Sequence, residues 1–223
     1  MRARFAGEAD LSEATYDRVL VAIGRQPNLH CLGLERAAVE VEQHGYVVVD
    51  AQQRTTNKRI YAVGDVVGGM QLAHKAIHEG YVAAEVIAGR RAAFDVRAIP
   101  AVVYTDPQIA WCGLTEREAK AQERDVTVVR FPWKASGRAV SMAATAGLTK
   151  LIVDPKSHRV LGMGIVGRDA EALIAEGVLA VEMAALAQDL ALSIHPHPTL
   201  SETIGEAAQM LMDSATHVVA RNK

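Results

Sequence analysis

The stretch that most restricts the fold lies past the middle of the chain. Leu148–Val153 and Val160–Val166 are two apolar runs separated by Asp154-Pro155-Lys156-Ser157-His158-Arg159. A short polar, Pro-bearing connection between two strand-like runs allows them only to fold back on each other, because a parallel return needs a crossover of a dozen or more residues. Similar short runs precede it: Val102-Val103-Tyr104, Ile109–Gly113 after the Asp106-Pro107 turn, and Val126–Phe131. Together they predict an antiparallel sheet. Thr115-Glu116-Arg117-Glu118 has the spacing of a capping box and predicts a polar helix between two of the strands. Apolar positions at helical spacing predict two closing helices, over about 169–187 and 200–213.

Gly162-Met163-Gly164-Ile165-Val166-Gly167 fits the G-x-G-x-x-G pattern of dinucleotide-binding loops. That function needs a full strand before the first Gly and a helix starting at the glycines. Here only Val160-Leu161 separate the turn from Gly162, so the stretch is read as a hairpin strand.

The first hundred residues carry a different pattern. Tyr16–Arg25 is mostly apolar and ends at Gly24, as a buried sheet strand would, and Pro27-Asn28 breaks it. Met1–Phe5 alternates and leads into a polar turn, and Gly45–Asp50 reads as a short strand. Ile60–Val63 is a further apolar run that delivers Gly64 and Asp65 at its end. That edge is where open α/β sheets bind ligands: Gly admits close approach and the carboxylate accepts hydrogen bonds from hydroxyls. A Gly-Asp pair at a strand end is equally the signature of a plain turn. Leu72-Ala73-His74-Lys75-Ala76 opens a helix to about Ala88, stopped by Gly89. Its free N–H groups favour a negatively charged ligand group.

Half of the 223 residues are hydrophobic, enough for one or two domains with a real core. The net charge of -2, without a basic run, argues against a nucleic-acid partner. No apolar run approaches the roughly 20 residues of a membrane span. Glu8, Asp10, Glu13 and Asp17 leave no room for a signal peptide's apolar core, and Cys31 and Cys112 stand in unrelated contexts. A cytoplasmic chain without a disulfide framework or metal site is expected.

Near the C-terminus, Ile194-His195-Pro196-His197-Pro198-Thr199-Leu200-Ser201-Glu202 puts an imidazole on a Pro-stiffened loop, five residues ahead of a carboxylate in the first turn of a helix. Thr199–Glu202 has capping-box spacing, with Thr199 as N-cap. The same carboxylate is also placed to hold one nitrogen of His197, which would make the other a better proton acceptor. The two roles are compatible, one oxygen for each. His195 is read as a loop residue.

Four stretches carry a family resemblance: Ala22-Ile23-Gly24-Arg25-Gln26-Pro27-Asn28; Thr55 to Val66, in which Ile60-Tyr61-Ala62 precede Val63-Gly64-Asp65; Tyr104-Thr105-Asp106-Pro107-Gln108-Ile109-Ala110-Trp111-Cys112-Gly113; and His197–Glu202. They resemble the pyridine nucleotide–disulfide oxidoreductases, in the branch that oxidises dihydrolipoamide, over about Arg2 to Val218. The resemblance implies an α+β fold in three parts. These are the end of an NAD-binding domain (1–27), the second segment of an α/β FAD-binding domain (28–98), and an interface domain with an antiparallel sheet and flanking helices (99–223). It implies FAD contacts at Gly64, Asp65, Met70, Leu72, Ala73 and His74, the last through its backbone, and an acid–base pair of His197 and Glu202. The implied partners are a second copy of the chain and the lipoyl carrier domain of a 2-oxo acid dehydrogenase complex. Cys112 has no catalytic duty in this scheme and reads as a small core residue.

The family also has an N-terminal G-x-G-x-x-G for the ADP half of FAD, a C-x-x-x-x-C redox disulfide and a second glycine fingerprint for NAD. None is present here. The chain therefore resembles roughly the C-terminal half of such an enzyme. Alone, it is expected to be dimeric, flavin-free and inactive.

Overall fold

The computed structural model describes residues 1–5 and 13–218, so most of the polar turn expected after Phe5 lies outside it. The chain divides into two compact units, 1–93 and from Phe94 onward.

The second unit is α+β. Its sheet is fully antiparallel, in the order β3-β4-β7-β6-β5, from strands β3 (Ala101–Val103), β4 (Gln108–Gly113), β5 (Thr127–Pro132), β6 (Leu148–Val153) and β7 (Val160–Gly167). The expected hairpin is β6–β7. Its turn is held by the Asp154 carboxylate, which accepts from the Ser157 N–H at 2.8 Å and the Ser157 hydroxyl at 2.9 Å. Two of the three glycines of β7 serve packing. A Cβ on Gly162 would come within 2.1 Å of the Leu114 carbonyl, and one on Gly167 (φ +152) within 2.2 Å of the Trp133 ring.

Helix α2 (Glu116–Ala121) starts on the expected reciprocal cap. The Glu118 N–H donates to Thr115 Oγ1 at 3.2 Å, and the Glu118 carboxylate accepts from the Thr115 N–H at 2.8 Å. A 3-10 turn (Trp133–Ala135) and helix α3 (Gly137–Ser141) follow β5; neither was anticipated. The single helix expected over 169–187 is in fact two, α4 (Ala170–Glu182) and α5 (Ala187–Leu192). Ala184 turns left-handed at φ 55, and Asp189 accepts the Leu186 N–H at 2.7 Å to start α5. The last helix is shorter than expected: α6 (Glu202–Gln209) tightens into a 3-10 turn, Met210–Met212, and stops at Asp213 (φ 50). Helix α4 packs on β4 and β7, and α6 on β5 and β6. Phe131, Trp133, Leu151, Met163, Ile165, Ile174 and Ile204 are sealed between these layers. That places the α6 N-terminus, which carries Glu202, on a rigid base.

The first unit departs from the sequence expectation. Strands β1 (Arg2–Arg4) and β2 (Glu13–Thr15) pair antiparallel, and helix α1 (Ala73–Ile87) matches the forecast, ending in a left-handed Gly89. The Arg90 N–H then returns to Glu85 O and the Gly89 N–H to Val86 O, which closes the helix C-terminus. Tyr16–Arg25 forms no strand, and Leu20 and Ile23 are 91% and 95% exposed. Gly45–Asp50 and the run before Gly64 contribute only isolated bridges, Val41 to Val47 and Arg54 to Tyr61. The physical reason is that a strand buried on both faces needs neighbours on either side. Among the described residues Tyr16–Arg25 has no such neighbours and the other two segments have only these bridges and a few loop hydrogen bonds, so the β1–β2 pair, turns and one helix stand where the α/β sheet was forecast.

Candidate active site

The loop between α5 and α6 carries His197, and α6 begins with Glu202. His197 Nδ1 lies 2.9 Å from Glu202 Oε1, and Glu202 Oε2 accepts the Thr199 N–H at 2.7 Å. One carboxylate therefore does both jobs expected of it. The cap is only half of a capping box, however. The Thr199 hydroxyl donates to Pro196 O at 2.7 Å rather than accepting from the helix, and the residue preceding the helix is Ser201, already helical. The first turn is tight, with the Thr203 N–H on Leu200 O and the Ile204 N–H on Ser201 O.

The His197 side chain is 71% exposed while that of Glu202 is 25% exposed, so the ring projects from a partly sunken carboxylate. Burial pushes the Glu202 carboxyl up, but the Thr199 N–H and the His197 ring outweigh it and hold the group below its ordinary value. An ionised Glu202 favours, in the neutral ring, the tautomer with its proton on Nδ1, which leaves the Nε2 lone pair available. The arrangement suits proton abstraction from a group arriving from outside the unit.

Two further imidazole–carboxylate pairs flank this one, and sequence reading missed both. His195, taken as a loop residue, is nearly buried and pairs through Nε2 with Glu176 of α4 at 2.9 Å. Its ring lies over Gly205, where a Cβ would come 3.1 Å from Nδ1. It thus pins the α5–α6 loop between α4 and α6. His217 Nδ1 sits 2.7 Å from Glu206 Oε1, and these two line one small cleft with His197 and Glu202. The partners are 19 and 11 residues apart, so no local spacing signals them.

A buried relay also supports the α6 N-terminus. The Trp133 indole N–H donates to Thr149 Oγ1 at 2.9 Å, the Thr149 hydroxyl to Thr203 Oγ1 at 2.7 Å, and the Thr203 hydroxyl to Leu200 O at 2.7 Å.

In the first unit, Gly64 and Asp65 open a 3-10 turn, Gly64–Val67. Gly64 needs its φ of +83, and its N–H donates to the buried Glu79 carboxylate at 2.7 Å. Glu79 is paired in turn with buried Lys75 at 2.5 Å. Asp65 Oδ2 accepts from Arg25 at 3.0 Å, and Arg25 also donates to Gln71 O. Met70 and Leu72 are half-buried, Ala73 and His74 exposed, and α1 starts at Ala73 with no side-chain cap on its N–H groups. The Lys75–Glu79 pair at helical spacing was readable in principle; Arg25, forty residues from Asp65, was not. No cluster of metal-ligating side chains occurs among the described residues.

Residues 99–208 match the pyridine nucleotide-disulphide oxidoreductase dimerisation domain, and residues 6–80 match the pyridine nucleotide-disulphide oxidoreductase domain. The chain belongs to the pyridine nucleotide-disulphide oxidoreductase family. It is 50% identical over 210 residues to dihydrolipoyl dehydrogenase of Haemophilus influenzae, covering 94% of this chain and 44% of that protein. Dihydrolipoyl dehydrogenase of Thermus scotoductus is 47% identical over 209 residues, 94% of this chain and 45% of that one. Among solved structures, LpdA from Mycobacterium tuberculosis superposes with a TM-score of 0.78 at 30% identity, over 84% of this chain and 41% of that one. The HOCl-induced flavoprotein disulfide reductase RclA from Escherichia coli gives 0.80 at 30% identity, over 91% of this chain and 47% of that one. The chain thus spans less than half the length of these relatives. No helix among the described residues is long and apolar enough to cross a membrane.

Proposed function

We propose that this chain is the C-terminal part of a dihydrolipoyl dehydrogenase, which converts dihydrolipoamide and NAD+ to lipoamide and NADH, and that it supplies the acid–base pair and the dimer contact. Residues 1–27 would end the NAD-binding domain, 28–98 form the second segment of the FAD-binding domain, and 99–223 the interface domain. The observation that carries the reading is the exposed His197 ring held at Nδ1 by Glu202 at 2.9 Å.

In this reading His197 Nε2 takes the proton of one substrate thiol. The thiolate attacks one sulfur of the enzyme disulfide, and the other sulfur leaves as a thiolate. The second substrate thiol then displaces the mixed disulfide, which closes the lipoamide ring and leaves two reduced cysteines. Glu202 keeps the imidazole in its accepting tautomer, and the proton transfer by His197 is worth about 10² to 10⁴ in rate. The disulfide is not built from this chain's own thiols: Cys31 is exposed, and Cys112 is buried with its pKa pushed up to about 12 by that burial. The pair would come from the remaining part of the enzyme, and across the dimer, as the family resemblance implies.

The residues present fit one edge of FAD. Asp65, which pairs with Arg25, offers a carboxylate to a ribityl hydroxyl, and the start of α1 at Ala73 suits an anionic ring edge; Met70 and Leu72 lead into it. When bound, FAD supplies the electron path from dithiol to NAD+. No dinucleotide cradle for its diphosphate or for NAD occurs in the sequence. Homodimer formation is supported by the dimerisation-domain match and by exposed apolar side chains of the second unit, among them Tyr104, Leu179, Met183, Leu192 and Ile194. The partner in turnover would be the lipoyl carrier domain of a 2-oxo acid dehydrogenase complex, in the cytoplasm.

A second reading, a non-catalytic dimerisation fragment without flavin, is favoured for the isolated chain by the uncovered Leu20 and Ile23. Two measurements separate these. The purified chain should be dimeric by light scattering, lack flavin absorbance and leave NAD+ unreduced by dihydrolipoamide. Fused to the nucleotide-binding and disulfide-bearing half of the Haemophilus influenzae relative, it should turn over, and His197→Gln should cost the fusion about 10² to 10⁴ in kcat. An active fusion indifferent to His197→Gln would sink the catalytic assignment.

A further inference from the structure

Several cations of this fold are neutralised: Arg25 by Asp65, Arg90 by Glu85, Arg130 and Lys150 by Glu116, and Lys75 by Glu79. Three arginines that share one groove are not. Arg97 on the segment entering β3, Arg124 just after α2 and Arg159 at the end of the β6–β7 turn border one open groove of about 450 Å³ in the second unit. Among the described residues none of these three guanidiniums has a hydrogen-bond or ion-pair partner.

Three nearby carboxylates are each engaged through one oxygen. Glu182 Oε1 accepts the backbone N–H groups of Arg97 and Ala98 at 2.7 and 2.9 Å. Glu118 also lines the groove, but its Oε2 holds the Thr115 N–H at 2.8 Å and the Thr115 hydroxyl at 2.7 Å. Asp154, whose field reaches Arg124, spends its Oδ1 on the Lys156 and Ser157 N–H groups and the Ser157 hydroxyl. Half-buried Leu114 and Leu161 form an apolar part of the lining, beside Gln122, and are tied by the Leu114 N–H on Leu161 O at 2.8 Å.

We propose that this groove binds a small anion carrying two linked phosphate groups. A guanidinium offers a planar fork matched to phosphate oxygens, and three forks from three separate elements call for more than one anionic centre. Three guanidiniums set against Glu118 leave a net surplus of positive charge for the anion to neutralise. The groove belongs wholly to the second unit, and the inference does not depend on the activity proposed above.

The test is an NMR titration of the whole chain with inorganic pyrophosphate and, separately, with ADP, following the amides of Arg97, Leu114, Arg124, Arg159 and Leu161. Saturable shifts centred on these amides are expected below about 10 mM, the weak end of specific recognition, and they should weaken as salt is raised. Equal affinity for both ligands would mean that the diphosphate alone is read; at least about tenfold tighter ADP would mean that the Leu114–Leu161 wall takes the nucleoside, a difference of about 1.4 kcal/mol. The triple substitution R97Q/R124Q/R159Q should abolish saturation while the melting temperature stays put, since exposed unpaired side chains contribute little to stability. Glu118→Gln keeps a capping side chain and removes the opposing charge, so it should tighten binding. Absence of saturation with both ligands, shifts centred elsewhere, shifts that survive the triple substitution, or binding not tightened by Glu118→Gln would overturn the proposal.

Discussion

Substitution of Thr203 by Val tests whether the α6 N-terminus is held by the buried relay. Trp133, Thr149 and Thr203 are each 0% exposed, so water cannot replace a lost partner. The direction of the relay is forced, because an indole N–H only donates and the Leu200 carbonyl only accepts. Thr203→Val removes the acceptor of the Thr149 hydroxyl and leaves that donor orphaned, at a cost of about 1–3 kcal/mol. Leu200 O keeps the Thr203 N–H at 3.1 Å. Thr149→Val orphans the Trp133 indole instead, at a similar cost. In the double variant only the indole is orphaned, so it should cost about as much as Thr149→Val alone, and the cycle should close with a coupling of about 1–3 kcal/mol. Urea unfolding followed by far-UV circular dichroism reads these values as midpoint shifts at constant slope. In a unit of this size each kcal/mol is worth about 3–5 °C in Tm. If the two single costs add to within about 0.5 kcal/mol, or Thr203→Val costs less than that, the relay does not support the helix as argued.

Three other outcomes follow from the packing and the charges. Gly177→Ala on α4 would bring a Cβ to 2.9 Å from Met163 Cβ and 3.1 Å from Cys112 Sγ, and should destabilise by about 1–3 kcal/mol. Gly80→Ala on α1 meets nothing within 4 Å and should stabilise by up to about 1 kcal/mol; equal effects at the two sites in thermal melts would contradict the packing. The folded state holds four carboxyls below their ordinary values: Glu116 through Lys150, with Arg130 adding to it; Glu118 through the Thr115 hydroxyl and N–H; Asp154 through the Ser157 N–H and hydroxyl; and Glu202 against its own burial. Depressed folded values mean that the unfolded chain binds more protons as pH falls. Stability should therefore be flat above the ordinary value of 4.5 and drop as pH falls through the lowered ones, so a Tm unchanged down to pH about 3 would refute the assignments. Finally, Cys31 should react at once with a thiol reagent while Cys112, buried and with its pKa pushed to about 12, should react only after unfolding; two fast equivalents would mean that the core is open.

What could be read from the sequence followed the range of each interaction. His197 and Glu202 lie five residues apart, and a stiff loop leading into a helix start brings such a pair together without help from the rest of the chain. Hairpin β6–β7, the cap of α2 and helix α1 are local in the same sense. His195–Glu176, Glu206–His217 and Arg25–Asp65 depend on how separate elements meet, and no spacing rule announces them. The Thr199 hydroxyl was misjudged for a related reason: cap spacing was present, but Pro196 offered its carbonyl first.

The largest disagreement, at Tyr16–Arg25, has a different character. The run has the composition of a strand buried on both faces, yet Val21 is 70% and Ile23 95% exposed. Apolarity specifies that a segment wants covering, whereas strand formation also needs hydrogen-bonding neighbours, which the described residues do not provide. The side chains of that run therefore encode a sheet that this chain does not form by itself. The same logic applies to α1, whose Ile77, Tyr81 and Ile87 stay exposed although the helix is regular and closed at its C-terminus. The helix forms regardless because its backbone bonds are internal, while the strand does not because its bonds are external. Apart from the short β1–β2 pair, the elements formed in the first unit are those whose hydrogen bonds close within themselves, and the stretch from Gly64 to His74 keeps its local turn and helix start for that reason.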